Sequence, residues 1–170
     1  MSVVHDTFVI ERTYPAAPER VFAAWSTQAA KSRWFGAGDD GTEEHTLDFR
    51  VGGRERLSGK IPDGPTFDYD ALYQDIVDGE RVVWSYDMHL DGRRISVSVA
   101  TVEITGVPGG ARLVFTEQGA FLDGLDTSAQ RERGTSEMRL SRHRCGSTMG
   151  VWVEESVLGV GDCAGGDGRG

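Results

Sequence analysis

The feature that most constrains the fold is the alternation of residue types along residues 67–118. Apolar, β-branched or aromatic side chains take every second position through much of this stretch, which is typical of half-buried β-strands. The pattern predicts four consecutive strands. Its alternating positions are Val82, Trp84, Tyr86, Met88, Val97, Val99, Thr101, Leu113 and Phe115. Because an antiparallel meander has one apolar face, another element must cover that face.

Three glycine-containing pairs separate these predicted strands. They are Asp78-Gly79, Asp91-Gly92 and Gly109-Gly110. Pairs of this kind supply the positive φ angles that two-residue hairpin turns require. The spacing therefore predicts an antiparallel sheet that is built from consecutive hairpins.

The segment before the meander predicts one strand and two short helices. Residues 7–14 alternate and form the first predicted strand. Pro18 suits the first turn of a helix, where its missing N–H costs nothing. Ser26 or Thr27 is placed to cap a second short helix that ends near Trp34. Residues 45–60 then predict a hairpin around two adjacent glycines.

A last helix is predicted to begin at Thr127. The pattern Thr127-x-x-Gln130 matches a capping box, in which two side chains satisfy free N–H groups at a helix start. The expected sheet-facing residues of this helix are Ala129, Glu132, Arg133 and Ser136. We expect residues 1–144 to form one domain, and the glycine-rich residues 145–170 to form a disordered or loosely packed tail.

Five stretches resemble a known family when they are taken in order. They read ERTYPAAPERVFAAW (11–25), RWFG (33–36), DFRVGG (48–53), FTEQGAFL (115–122) and DTSAQRERGT (126–135). Together they are similar to the Hsp90-ATPase-activator-homologue family, within the START-like group (SRPBCC) that includes polyketide cyclases and lipid-transport proteins. The resemblance implies an α+β helix-grip fold, like START and Bet v 1 domains. Such a fold has a curved seven-stranded antiparallel sheet around a C-terminal helix, with two short N-terminal helices.

The sequence departs from the family pattern after Thr135. The family continues with a leucine-rich helix that closes over the sheet. Here residues 136–145 are basic and have no regular apolar stripe. The resemblance therefore does not extend to the second half of the closing helix.

The space between the sheet and the last helix is where a fold of this kind forms a ligand cavity. The aromatic residues expected near it are Trp34, Phe35, Tyr73, Trp84, Tyr86 and Phe115. The alternative is that these side chains only fill the core. Arg12 shares strand parity with Phe8 and Ile10, so we expect it to face the same space and to neutralise an inward acid.

Several carboxylates lie on predicted strands. They are Asp68, Asp70, Asp75, Asp87 and Glu117. Glu117 shares parity with Leu113 and Phe115, and it therefore points inward if they do. A carboxyl group in an apolar cavity has a raised pKa and can act as a general acid or base, which makes Glu117 the candidate catalytic residue. The alternative is that all five carboxylates lie on a solvated strand face.

The sequence contains no signature for a metal or a cofactor. His5, His45, His89 and His143 show no metal-ligand spacing, and neither His45 nor His89 is expected to be catalytic. Nucleophile elbows, phosphate loops and dinucleotide-binding fingerprints are also missing. We therefore expect no metal and no cofactor.

The net charge and the first residues limit the classes of partner and the location that we expect. The formal net charge is −9, which argues against nucleic-acid binding and against anionic membrane surfaces. No apolar run approaches the roughly 20 residues of a transmembrane helix, so membrane insertion is not expected. The first residues lack the order of a signal peptide. We expect a cytoplasmic protein.

Three functions remain open at this point. The leading hypothesis is a non-catalytic protein that binds a small apolar or amphipathic ligand. The second, implied by the family resemblance, is a co-chaperone-like module that modulates an Hsp90-type ATPase. The third is an enzyme of polyketide cyclase or dehydratase type that uses Glu117. A pocket with two or more convergent polar side chains would favour the third hypothesis, and an entirely apolar pocket would exclude it.

Overall fold

The computed structural model describes residues 2–35, 43–61 and 64–137. Within these ranges it contains seven strands and three helices. In chain order they are β1 (Val3–Tyr14), α1 (Pro18–Ser26), α2 (Gln28–Lys31), β2 (Glu44–Leu47), β3 (Arg54–Lys60), β4 (Thr66–Val77), β5 (Arg81–Leu90), β6 (Arg93–Val107), β7 (Gly110–Leu122) and α3 (Ser128–Glu137). The predicted domain limit at residue 144 and the predicted tail lie outside the described residues.

The seven strands form one antiparallel sheet with the order β1-β7-β6-β5-β4-β3-β2. Strands β2 to β7 pair as consecutive neighbours, and β1 pairs with β7 along its whole length, from Val3 opposite Leu122 to Tyr14 opposite Ala111. The sheet curves around the helices. The predicted α+β helix-grip architecture, with two short N-terminal helices and one C-terminal helix, is therefore confirmed.

The hairpin turns follow the glycine signals, with one shift. Asp91 and Gly92 both have positive φ angles, 47° and 73°, and they join β5 to β6 in a two-residue loop. The turn between β6 and β7 consists of Pro108 and Gly109, one residue earlier than predicted, because β7 already begins at Gly110. Gly109 takes the positive φ angle of 84° in this turn.

The inner face of the sheet is aromatic on most strands, but on β6 it carries two serines, Ser96 and Ser98, beside apolar residues. Trp84 on β5 and Phe115 on β7 are buried on this face, as the alternation predicts. Val97 and Val99 on β6, which the alternation also selects, lie on the outer face and are each 43% exposed. Ser96 and Ser98 alternate with these valines and face inward. In this part of β6 the apolar alternation therefore identifies the outer face, not the inner face.

The two N-terminal helices cover one end of the inner face. Helix α1 begins at Pro18 as predicted and buries Val21, Phe22 and Trp25. Thr27 caps α2 by accepting a hydrogen bond from the backbone N–H of Ala30 at 3.3 Å. Helix α2 ends at Lys31, earlier than the predicted end near Trp34.

Helix α3 begins as predicted but presents a different face to the sheet. The Thr127 hydroxyl accepts a hydrogen bond from the N–H of Gln130 at 3.2 Å, so Thr127 caps the helix as predicted. The reciprocal bond of a capping box is not made, because the Gln130 side chain accepts from the Thr127 hydroxyl and the Thr127 N–H donates to Asp126. The predicted inward residues Ala129, Glu132 and Arg133 are exposed, whereas Ser128, Arg131, Thr135 and Ser136 are partly buried. The prediction was wrong at the first three positions and right at Ser136. It failed because a charged residue, Arg131, holds this helix to the sheet, rather than an apolar stripe.

Gly110 provides a test of how tightly the ends of β1 and β7 pack. A Cβ atom at Gly110 would lie 1.9 Å from the carbonyl oxygen of Tyr14. We expect Gly110→Ala to lower the free energy of unfolding by about 1–3 kcal/mol, the usual cost of overpacking. Urea denaturation measures this difference.

Gly134→Ala is the matched control for this substitution. Gly134 is exposed in α3, and a Cβ atom there would meet no atom within 4 Å. Because alanine favours a helix over glycine, this variant should be more stable by up to about 1 kcal/mol. Equal stability of the two variants would contradict the close approach of β7 to Tyr14.

Candidate functional site

A cavity of about 270 Å³ lies against the inner face of the sheet, next to α1, α2 and α3. Most of its wall is apolar and aromatic. The rings that line it belong to Tyr14, Trp25, Trp34, Phe35, Phe67, Tyr69, Trp84, Tyr86 and Phe115. The polar end groups in the wall come from a few long side chains, and two buried ion pairs supply most of them.

The structure brings most of the sequence-predicted site residues together. Six of the seven predicted pocket residues line the cavity, namely Arg12, Trp34, Phe35, Trp84, Tyr86 and Phe115, and so does the candidate acid Glu117. Tyr73 does not line it. The Tyr73 side chain is 1% exposed and donates a hydrogen bond from its hydroxyl to Glu55 Oε2 at 2.8 Å, behind the cavity wall.

The first buried ion pair joins α2 to β3. Lys31 Nζ lies 2.5 Å from Glu55 Oε2, and the two side chains are 2% and 0% exposed. On the other carboxylate oxygen, Oε1, the ring nitrogen Nε2 of His45 lies at 2.9 Å. The second ring nitrogen of His45 lies 2.6 Å from the hydroxyl of the exposed Ser32. A chain of polar contacts therefore runs from the surface to the amine of Lys31.

Burial and charge pull the pKa values of this pair in opposite directions. Burial lowers the pKa of the Lys31 amine, and the attraction of Glu55 offsets only part of that effect. Burial alone would raise the pKa of Glu55. The charge of Lys31 and the hydrogen bonds from His45, Lys31 and Tyr73 outweigh burial, and the pKa of Glu55 lies below its ordinary value.

The second buried ion pair joins β7 to α3. Glu117 Oε1 accepts hydrogen bonds from the hydroxyl groups of Tyr86 at 2.6 Å and Ser98 at 2.9 Å. Arg131 Nη1 lies 3.5 Å from the same oxygen and donates to the Tyr86 hydroxyl at 2.6 Å. Arg131 Nη2 donates to Ser96 at 2.7 Å and also pairs with Asp126. The inward serines of β6 thus serve this cluster.

Burial controls the proton affinities in the second cluster as well. It raises the pKa of Glu117, and the positive charge of Arg131 opposes this without cancelling it. Burial also raises the pKa of the Tyr86 hydroxyl. Glu117 is therefore a carboxyl group that holds its proton more tightly than an exposed glutamate does, at the wall of an apolar cavity.

Arg12 connects β1 with α3. Its guanidinium donates a hydrogen bond to the backbone carbonyl of Ser136 in the last turn of that helix. Arg12 also faces Tyr14, whose pKa is raised by burial, and the nearby guanidinium lowers it in part. The predicted role of Arg12 as the partner of an inward acid falls instead to Arg131.

Sequence reasoning missed Lys31, His45, Glu55 and Arg131 as members of these clusters. Glu55 could have been found from parity, because it shares the inward face of β3 with Leu57. Lys31 stands in a four-residue helix, which is too short to show an amphipathic period. Arg131 was passed over because the predicted inward face of α3 lay one position away.

Two tryptophans in the wall hold buried polar atoms that lack a partner. Trp25 Nε1 and Trp84 Nε1 have no hydrogen-bond acceptor in the part of the chain that the structure describes. Among those same residues, no three His, Cys, Asp or Glu side chains come together as a metal site. The unsatisfied groups at the cavity are thus hydrogen-bond donors.

A family model described as Activator of Hsp90 ATPase homolog 1-like protein matches residues 15–141. The chain belongs to this family. Two solved structures share much of their sequence with this Activator of Hsp90 ATPase homolog 1-like chain. A protein from Rhizobium loti is 46% identical with a TM-score of 0.75, and the match covers 81% of this chain and 94% of the other. A protein from Rhizobium leguminosarum is 44% identical with a TM-score of 0.76, over 80% and 90% of the two chains.

A more distant structure shows the shared fold only. A protein from the dynemicin biosynthetic locus is 15% identical with a TM-score of 0.57. The match covers 78% of the chain described here and 44% of the dynemicin-locus chain. A search of curated proteins gave no match. Among the described residues, no helix is both long and apolar enough to span a membrane.

The raised pKa of Glu117 gives a prediction about stability and pH. The folded protein keeps this proton at pH values where the unfolded chain has lost it, because the unfolded carboxyl has the ordinary pKa near 4.5. The stabilisation from this group is present below that pKa and is lost as the pH rises through the folded pKa. We expect Glu117→Gln to gain stability relative to the unmodified protein as the pH rises above 4.5.

Urea denaturation at a series of pH values measures this effect. Glu103→Gln is the matched control, because Glu103 is an exposed glutamate on the neighbouring strand β6. The difference in the free energy of unfolding should change with pH for Glu117→Gln more than for the control. Parallel pH profiles for Glu117→Gln and the unmodified protein would contradict a raised pKa at this position.

Proposed function

We propose that the protein binds a small apolar or amphipathic molecule in the cavity between the sheet and α3, without converting it into a product. The observation that carries this proposal is the cavity of about 270 Å³ with an aromatic wall. Ligand pockets commonly measure about 300–1,000 Å³, so this cavity is slightly smaller than that range and fits a small guest. The volume suits a molecule with one or two rings or a short aliphatic chain.

The polar groups in the wall suit a guest with a polar end. Tyr86, Glu117 and Arg131 line the cavity together with the aromatic rings. An amphipathic guest therefore has polar partners in the wall for its polar end, while its apolar part contacts the rings.

A bulky residue in the wall should abolish this binding. Met88 on β5 lines the cavity and is only partly buried, so a larger side chain there fills the cavity with limited damage to the core. We expect Met88→Trp to weaken the binding of an uncharged naphthylamine dye by about tenfold or more, which is about 1.4 kcal/mol. Fluorescence titration of the dye measures the dissociation constant.

Val99→Trp is the matched control for this experiment. Val99 lies on the neighbouring strand β6 but on the outer face, where it is 43% exposed. Its substitution should leave dye binding unchanged. If the unmodified protein shows no saturable dye binding, or if both variants bind as it does, the cavity is not the binding site and the proposal fails.

The polar cluster around Glu117 favours a second candidate, an enzyme of cyclase or dehydratase type. Glu117, Tyr86 and Arg131 converge on the cavity wall, so the pocket is not entirely apolar. A buried carboxyl group with a raised pKa can pass a proton to or from a bound carbonyl compound.

Proton exchange separates this enzyme hypothesis from simple binding. In deuterium oxide, a β-dicarbonyl compound should exchange its α-protons faster with the protein than without it, and nuclear magnetic resonance follows this exchange. Glu117→Gln should remove the acceleration, whereas Glu103→Gln should keep it. An exchange rate that is unaffected by the unmodified protein would end the enzyme hypothesis.

The chaperone alternative rests on the family description, which names an activator of the Hsp90 ATPase. An unchanged rate of an Hsp90-type ATPase on addition of the protein would count against it. The cytoplasmic location expected from the sequence stays a prediction.

A further inference from the structure

Lys31 is an unusual residue in this chain. The sequence has only two lysines, Lys31 and Lys60, beside 16 arginines. Lys60 is exposed, whereas Lys31 is 1% exposed. Arginine is generally the better cation for a buried ion pair, because guanidinium is more weakly hydrated than ammonium. That the buried cation is a lysine, and not an arginine, therefore indicates a use for the amine itself.

The Lys31 amine stands between the cavity and its carboxylate partner. Nζ lies 4.9 Å from the ring centre of Phe35, 5.6 Å from that of Trp25 and 5.7 Å from that of Trp84. All three rings and Lys31 itself line the cavity, whereas Glu55 does not. Lys31 is therefore part of the cavity wall, whereas its carboxylate partner lies behind that wall.

We propose that Lys31 is a reactive amine that forms a reversible imine with a small apolar aldehyde or ketone held in the cavity. This inference rests on the proposed binding function, and it names the chemical class of the guest. A carbonyl compound matches the wall on two counts. Its apolar part contacts the aromatic rings, and its carbon is the electrophile that the amine of Lys31, a residue of the wall, attacks.

The surrounding groups can carry the protons that this step requires. The ammonium of Lys31 passes one proton to Glu55 Oε2, which lies 2.5 Å away, and the free amine attacks the carbonyl carbon. A proton moves from nitrogen to oxygen and gives a carbinolamine. The proton held by Glu55 then returns to the carbinolamine, whose hydroxyl group leaves as water when the carbon–nitrogen double bond forms. In total, ammonium and carbonyl compound give a protonated imine and one water.

The environment of Lys31 also favours the free amine. Burial lowers its pKa, and desolvated lysines in apolar pockets are the ones that act as nucleophiles. Glu55 is held by the Tyr73 hydroxyl at 2.8 Å and by His45 at 2.9 Å, and these contacts keep its oxygen directed at the amine.

Trapping with a hydride donor tests the proposal on the full-length, folded protein. Cinnamaldehyde is the carbonyl probe, and sodium cyanoborohydride reduces any imine to a stable secondary amine. Mass spectrometry of the intact protein and of its peptides then locates the adduct. Because the chain has only two lysines and one α-amino group, the assignment is unambiguous. We expect labelling of Lys31 to exceed that of Lys60 by about tenfold or more.

Two variants and one competition experiment make the result specific. Lys31→Arg keeps the charge beside Glu55 but cannot form the imine, so the cavity adduct should disappear. Lys60→Arg should leave labelling of Lys31 unchanged. In the unmodified protein, a saturating amount of the naphthylamine dye should suppress labelling of Lys31 and not of Lys60. This last arm needs no substitution, so it stands even if Lys31→Arg fails to fold.

The outcomes separate this inference from the proposed function. If cinnamaldehyde displaces the dye but the adducts fall only on Lys60 and the α-amino group, the imine proposal is overturned and the binding function stands. If the dye does not bind at all, both proposals fail. Labelling of Lys31 that the dye does not suppress would also overturn the proposal, because the carbonyl compound would then reach the amine from outside the cavity.

Discussion

A carboxylate taken out of water needs a positive partner, and the inner face of this sheet buries two of them. Glu55 on β3 pairs with Lys31 at the end of α2, and Glu117 on β7 pairs with Arg131 in α3. Breaking such a pair leaves an uncompensated buried charge, at a cost of about 3–5 kcal/mol. The ion pairs therefore hold α2 against β3 and α3 against β7 on the inner face, and the cavity lies between these two attachments.

The sequence predicts the parts of this arrangement that depend on local patterns. Alternation and glycine pairs locate β4 to β7, and the Thr127 capping box locates the start of α3. Strand parity also places Glu117 on the inner face. Sequence patterns do not show which other element a long side chain will contact. The pairing of Lys31 with Glu55 joins residues 24 positions apart, and only the folded chain brings them together.

The cavity also explains why several functions are compatible with one structure. Its aromatic wall suits an apolar guest, while the polar edges at Glu117 and Lys31 add an acid and an amine. The function depends on these side chains rather than on the fold, because one fold can carry many different sites. The inner face of β6 illustrates this point. Ser96 and Ser98 take positions that an apolar side chain could fill, and they bind Arg131 and Glu117 there.

The grouping of indole rings has a practical consequence. Trp25, Trp34 and Trp84 lie within one cluster, with ring centres 4.6 Å apart for the first two and 5.8 Å apart for Trp25 and Trp84. All three border the cavity. Indole emission depends on the polarity and contacts of the ring, so a molecule that enters changes the light that these side chains emit. The protein thus carries its own optical reporter of occupancy, which works without any label.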